Sequence, residues 1–244
     1  MNGAEKETLS YGYDPSGGSS GSLYLGTRYD ASYGFDGIID EFAIHTEVLT
    51  PDGFAGLYKY PSTSNIEGLW SFDKGSGTTA HDFSENENDG TLEGDADWED
   101  GINGKALALD GNGDCVTVPD DASLDTDITD GLTLEAWVYF PSSASTSYWG
   151  IIATKGTLYQ IFRWQNKDTI GGYLKGITGG DGVDTGVPIE RDVWIHLAMT
   201  YDGSHLKFYK NGNLIYDEGN LSGSIGDDTS LFVIAAYKDA GGIS

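Results

Sequence analysis

Basic residues are scarce in this sequence: 13 Lys plus Arg stand against 39 Asp plus Glu, a formal charge of -26 at pH 7. That imbalance excludes a basic patch for nucleic-acid backbones or anionic membrane surfaces and makes cations the natural counter-charges. Two sources of the acidity are compatible: carboxylates that keep an extracellular protein soluble in salt, and carboxylates engaged by calcium. Cysteine is nearly absent. Cys115 stands alone, so no internal disulfide framework exists, and within the alternating run GDCVTVP it reads as a small buried hydrophobe rather than a nucleophile. No apolar run is long enough to cross a bilayer, so membrane insertion is not expected. Residues 1–10 (MNGAEKETLS) have neither the basic nor the apolar region of a signal peptide, which implies that Met1 is not the native start or that secretion is arranged elsewhere. Asn220-Leu221-Ser222 fits the glycosylation triplet, a weak match.

Proline is also sparse, at 6 residues, whereas glycine reaches 36 and aromatics 12 %. Asp-Gly, Asn-Gly and Gly-Gly dipeptides punctuate short apolar runs, the pattern of an all-β chain with little helix. In GLTLEAWVYF, residues 131–140, the side chains of Leu132, Leu134, Ala136, Val138 and Phe140 fall on one face and Trp137 and Tyr139 on the other. DVWIHLAMTYDGSHLKFYKNGNLIYD reads as three strands joined at Asp202-Gly203 and Asn211-Gly212, dipeptides that suit two-residue hairpin turns. One more strand is expected in TSLFVIAAYKD, residues 229–239.

A weak internal repeat runs through the chain. Asn2-Gly3 matches Asn211-Gly212 at an offset of 209, and SLYLG at residue 22 matches SLFVI at residue 230 at an offset of 208. Only the first copy continues into FDGIIDEFAIHTEVLTPDGFAGLY, residues 35–58. Within that block, alternation predicts a strand with Ile38, Asp40, Phe42 and Ile44 on one side. Thr50 and Pro51 suit the N-cap and first position of a short helix with an apolar stripe of Phe54, Leu57 and Tyr58. Gly53 occupies a position where a capping acid would help, so the helix should be marginal.

Taken in order, GLWSFDKGSGTTAHDFSENENDGTLEG, GKALALDGNGDCVTVPD, GLTLEAWVYF, VWIHLAMTYDGSHLKFYKNGNLI and the FDGIIDEFAIHTEVLTPDGFAGLY block resemble the laminin-G-like, concanavalin A-like family of bacterial and archaeal surface proteins. The resemblance implies a jelly-roll sandwich of two antiparallel sheets with one short helix, an extracellular or cell-surface location, and a non-enzymatic role in adhesion or glycan recognition. In the family the closing strand and helix come last; here they come first. Residues 1–60 therefore read as the closing part of a repeat, 61–67 as a linker, and 68–244 as a sandwich lacking its own closing strand. Three arrangements remain open: a segment of a tandem array, a subunit that exchanges strands head-to-tail with copies of itself into a filament, and a circular permutation closed within one chain.

The chemical candidates are few. In HDFSENENDG, Asp82, Ser84, Asn86 and Asn88 alternate before Asp89-Gly90, either as hard oxygen ligands for Ca²⁺ or as a solvated polar turn. The resemblance adds weight to calcium, since related domains carry it beside the first and last strands, and it points to Asp40 as the remote ligand. Tyr148, Trp149, Trp164 and Tyr173 are the candidates for stacking on a glycan, against the commoner role of aromatics as core filling. A glycoside hydrolase of the laminarinase type is the rival class. Its nearest run here, EGDADWE with Glu93, Asp95 and Glu99, has the wrong spacing for two carboxylates facing one cleft. His45, His81, His196 and His205 are scattered, His196 reading as a strand packing residue, and no catalytic residue is assigned.

Overall fold

The computed structural model describes residues 34–54, 65–124, 131–147, 149–156, 158–180 and 182–223, together with the backbone of 22–25 and 232–234. In chain order the first strands are β1 (Ser22–Leu25), β2 (Asp36–His45), β3 (Ile66–Trp70), β4 (Thr79–Ala80), β5 (Gly90–Glu93), β6 (Asp97–Asp100), β7 (Lys105–Asp110) and β8 (Cys115–Pro119). There follow β9 (Leu132–Tyr139), β10 (Gly150–Lys155), β11 (Tyr159–Arg163), β12 (Thr169–Leu174), β13 (Ile177–Thr178) and β14 (Val183–Pro188). The last are β15 (Trp194–Tyr201), β16 (Leu206–Lys210), β17 (Asn213–Glu218), β18 (Ser222–Gly223) and β19 (Phe232–Ile234). A single helical turn, α1 (Pro51–Phe54), follows β2.

The strands form two antiparallel sheets packed face to face. The first runs β14-β12-β11-β10-β1-β8-β5-β4, with β19 also pairing β10 and β8. The second runs β17-β16-β15-β9-β2-β7-β6, with β3 on β2, and β13 and β18 make a small separate ribbon. The core lies between the sheets. On β9, Leu132, Leu134, Ala136 and Val138 point into it with Phe140 beyond, as their alternation predicts, and β15 answers in an eight-residue register from Trp194↔Tyr139 to Tyr201↔Leu132. On the other face Trp137 meets the His196 ring and Tyr139 meets Trp194. Cys115 is buried and its thiol pKa is pushed up to about 12, chiefly by burial, as an inert packing residue requires.

Turn chemistry follows the sequence in one hairpin and departs from it in the other. Asn211 and Gly212 both adopt positive φ between β16 and β17, which the two-residue turn needs. In the β15–β16 connection the Asp202 amide donates to the His205 carbonyl, continuing the ladder, and the Asp202 carboxylate accepts from the Ser204 and His205 amides, so the central pair is Gly203, at φ 86°, with Ser204 rather than Asp202-Gly203.

β2 is the centre of the second sheet. It pairs β9 along both its halves, and on its other side it pairs β7 through residues 36–39 and β3 through residues 42–45. Residues 36–45 thus complete the sandwich of their own chain. A bulge interrupts the strand: Asp40 lies opposite Trp137 but Ala43 opposite Glu135, with Glu41 at φ 49°. The extra residue reverses the alternation. Ile39, Phe42 and Ile44 enter the core, whereas the uninterrupted pattern placed Ile38 and Asp40 there with Phe42 and Ile44.

Two side-chain clusters fasten β2. Phe42 stacks on Trp70, ring centroids 5.7 Å apart, and the Trp70 indole donates to the Asn88 carbonyl. On the outward face Glu135, wholly buried, lies between His45 Nε2 at 2.7 Å and His196 Nε2 at 3.1 Å. Burial alone would raise the Glu135 pKa, but the hydrogen bonds from His196 and His45 outweigh it and the net shift is downward. α1 covers this face: Phe54 packs on Tyr209, Ala198 and the His196 ring, and the Thr50 carbonyl accepts from the Gly53 and Phe54 amides. Leu57 and Tyr58 lie outside the described residues.

Phe42→Ala removes a fully buried ring from the joint between β2 and β3 and should cost about 3–5 kcal/mol. Urea unfolding at constant m checks it; a loss below about 1 kcal/mol would mean that β2 is not held there.

Candidate functional site

Asp82 anchors its loop through a ring of donors. Its Oδ1 accepts from the amides of Leu69 and Ser84, and its Oδ2 from the Ser84 hydroxyl and the Asn88 amide, at 2.6–2.8 Å. Ser84 and Asn88 are buried with it, and the Asn86 and Asn88 amide groups both turn to Glu67, donating to its carbonyl. Every lone-pair direction of the Asp82 carboxylate therefore has a protein donor.

Asp40 lies elsewhere. The bulge turns it out of the core and under the loop between β6 and β7, where Oδ2 accepts from the Ile102 and Asn103 amides and Oδ1 from the Glu41 amide. Gly101 lets that loop approach, since a Cβ there would sit 2.3 Å from Asp40 Oδ2. The same loop is held from the far side by Asp73, just after β3, whose Oδ1 accepts from the Lys105 amide. Asn103 donates to both Asp40 and Glu41, and the Asp73 charge lies near both. Burial raises the Asp40 pKa to about 7, with the charges of Glu41 and Asp73 adding to the effect, and burial likewise raises Glu41. The sequence pattern missed Glu41, Asp73 and Asn103 as neighbours of Asp40; the acids in SFD and IDE were its only signal.

A second acidic group joins Asp95, Asp110 and Asp114, whose oxygens lie within 4.8 Å of one another. Buried Asp114 accepts from the amides of Asp95 and Asp110 and ties two turns together, and burial first, then neighbouring Asp110, raises its pKa. Among the described residues it is the one group of three or more acidic, His or Cys side chains this close.

The aromatic candidates converge on the outward face of the first sheet. Trp149, Phe162 and Trp164 form a cluster, Trp149 lying 5.0 Å from Phe162 and 4.4 Å from Trp164 between ring centroids, and Tyr173 packs beside them. Gly171 makes room for the Trp164 indole, whose N–H donates to the Val183 carbonyl; a Cβ at 171 would be 2.1 Å from that nitrogen. Lys167 caps Trp164 at 4.9 Å from its ring centroid and pairs with Asp184. Trp164 is only 4 % exposed, so it forms the base of the patch, while Trp149 and Tyr173 are half-buried and present surface. Gln160 stands cross-strand from Tyr173, and Gln165 reaches the Ser147 carbonyl beside Trp149. An apolar ring surface with amides, a lysine and an aspartate at its rim can stack on a sugar face and hydrogen-bond its hydroxyls. Tyr148 lies outside the described residues.

The three acids of EGDADWE separate. Glu93 is on β5 in the first sheet, Asp95 in the following turn, and Glu99 on β6 in the second sheet.

A laminin G family model, described as Concanavalin A-like lectin/glucanases superfamily, matches residues 1–53 and 110–242. No curated protein sequence gives a significant match. Among solved structures, domain 4 of AbnA, a GH43 extracellular arabinanase from Geobacillus stearothermophilus in complex with arabinotriose, is similar at TM-score 0.51 and 21 % identity, covering 71 % of this chain and 84 % of that one.

Asp40 and Glu135 give opposite pH dependences. The folded pKa of Asp40 is raised from 3.8 to about 7, so its support for the fold is full below the unfolded value and is lost as pH rises through about 7. Glu135 is lowered from 4.5, so its support is present above that value and lost as pH falls through the folded one. Without added metal, Tm should fall between pH 5 and pH 8, and Asp40→Asn should flatten that slope; equal slopes in parent and variant would contradict the assignment to Asp40.

Proposed function

The chain belongs to the concanavalin A-like lectin/glucanase superfamily, and from that premise we propose that it is a non-catalytic, extracellular glycan-recognition module whose ligand stacks on Trp149 and Tyr173. The observation that carries the reading is the aromatic patch with its polar rim, placed outside the core on β11, β12 and the residues that flank β10 and β11. The net charge of -26 directs the choice toward neutral glycans, because a sulfated or uronic polysaccharide would be repelled. The bound arabinotriose of the similar arabinanase domain supports an oligosaccharide of that size as first probe. Against a hydrolase stands the division of Glu93 and Glu99 between the two sheets, since glycoside hydrolysis takes two carboxyl groups facing one bond.

Calorimetric titration with arabinotriose and a panel of neutral oligosaccharides tests the reading. Binding by the parent should weaken tenfold or more in Trp149→Ala and in Tyr173→Ala. A panel without a binder, or unchanged affinity in both variants, would reject it.

A second property, calcium binding, is favoured by the adjacent acids Asp40 and Glu41 with the Asp73 charge near them, oxygens that join the end of β3 to β2. Asp40 is the residue common to this set and to the expected site; Asp82, Ser84, Asn86 and Asn88 would then act through loop structure. Calcium would supply the charge that keeps Asp40 and Glu41 ionised. Millimolar CaCl₂ should raise Tm at pH 8 over an EDTA-treated sample and leave Asp40→Asn unmoved; no change in the parent would sink the calcium reading.

A further inference from the structure

β1 and β19 have the same address. β1 pairs antiparallel with both β8 and β10, Tyr24 lying opposite Thr117 on one side and Thr154 on the other. β19 pairs with the same two strands, Val233 lying opposite the same Thr117 and Thr154. Leu25 and Ile234 likewise both face Val116. Neighbouring strands stand about 4.8 Å apart, so two strands that flank a third leave room for one occupant only. The walls of the slot are fully buried at Val116, Val118, Thr154 and Lys155, the last ion-paired with Asp120, so an empty slot would leave ladder groups unpaired in the interior.

The shared register also corrects the repeat. Tyr24 corresponds to Val233 and Leu25 to Ile234, an offset of 209, which agrees with the Asn-Gly pair and differs by one from the match of SLYLG to SLFVI. A slip of one residue would turn the opposite faces inward, so pairing position, not residue likeness, defines the equivalence.

We infer that β1 and β19 are interchangeable occupants of a single slot, so that each chain carries one strand more than its own sandwich uses and can donate it to the slot of a second copy. The donor need not disturb β2, because eight residues, 26–33, separate β1 from Gly34 and the buried Phe35, and a chain of that length can span up to roughly 26 Å. The surplus would serve equally between adjacent repeats of a tandem protein, where the same slot recurs every 209 residues. This inference is independent of glycan binding.

Proline in mid-strand removes a ladder hydrogen bond, so Tyr24→Pro and Val233→Pro in the full chain disable the occupants separately. Each alone should lower Tm by less than about 3 °C and the pair together by about 10 °C or more, a non-additive loss. A single substitution as damaging as the double would overturn interchangeability, as would a harmless double. Should the double variant not fold, cysteine pairs decide in a Cys115→Ala background: Tyr24→Cys with Thr117→Cys, and Val233→Cys with Thr117→Cys, should each oxidise to an intrachain disulfide, and failure of either overturns the claim. For donation, chains carrying only Tyr24→Cys or only Val233→Cys are mixed with chains carrying only Thr117→Cys. A mapped interchain disulfide to Cys at 117 is expected, and its absence with both donors would overturn transfer to a second copy.

Discussion

The second sheet depends on β2. With β9 on one side and β7 and β3 on the other, it is the only link between the β17-β16-β15-β9 half and the β7-β6 half among the described strands. A strand that comes early in the chain thus becomes the central strand of the sheet. Its side chains reach both ways: Phe42 inward to Trp70, and His45 outward to the carboxylate that also holds His196 on β15. Removing the strand would strip the buried carboxylate of one partner, open the core and expose two unpaired edges, three separate penalties. Strand order in the chain matters less than strand order in the sheet.

The bulge at Glu41 sets the surroundings of Asp40. By adding a residue it sends Phe42 and Ile44 into the core and leaves Asp40 under the 101–104 loop, where burial makes its ionisation costly. The aromatic patch lies on the outward face of the other sheet, so closure of the sandwich and the proposed recognition are served by different sheets. Recognition can then tolerate variation in the loops and rim without loss of the fold.

Periodicity made most of the fold legible. β9 and β15 follow simple alternation, Asn211-Gly212 announces its turn, and the apolar pattern after Phe35 marks the strand β2. What escaped the sequence was tertiary. Nothing in IIDEFAIH marks Glu41 as the residue at positive φ, because glutamate has no preference for that conformation; the pairing with β9 imposes it. Nor does HDFSENENDG reveal that the oxygens of Asp82 are occupied by amides from its own loop and from β3. Trp164 and Trp149 look alike in sequence, yet Gly171 draws one beneath the patch and leaves the other at its surface.

Hydrogen exchange of the amides of residues 38–44, followed over a wide range of protein concentration, tests most directly the claim that β2 closes its own chain. The account predicts protection as strong as that of β9 and β15, independent of concentration. Protection that vanishes on dilution, or that is absent while β9 and β15 remain protected, would contradict it.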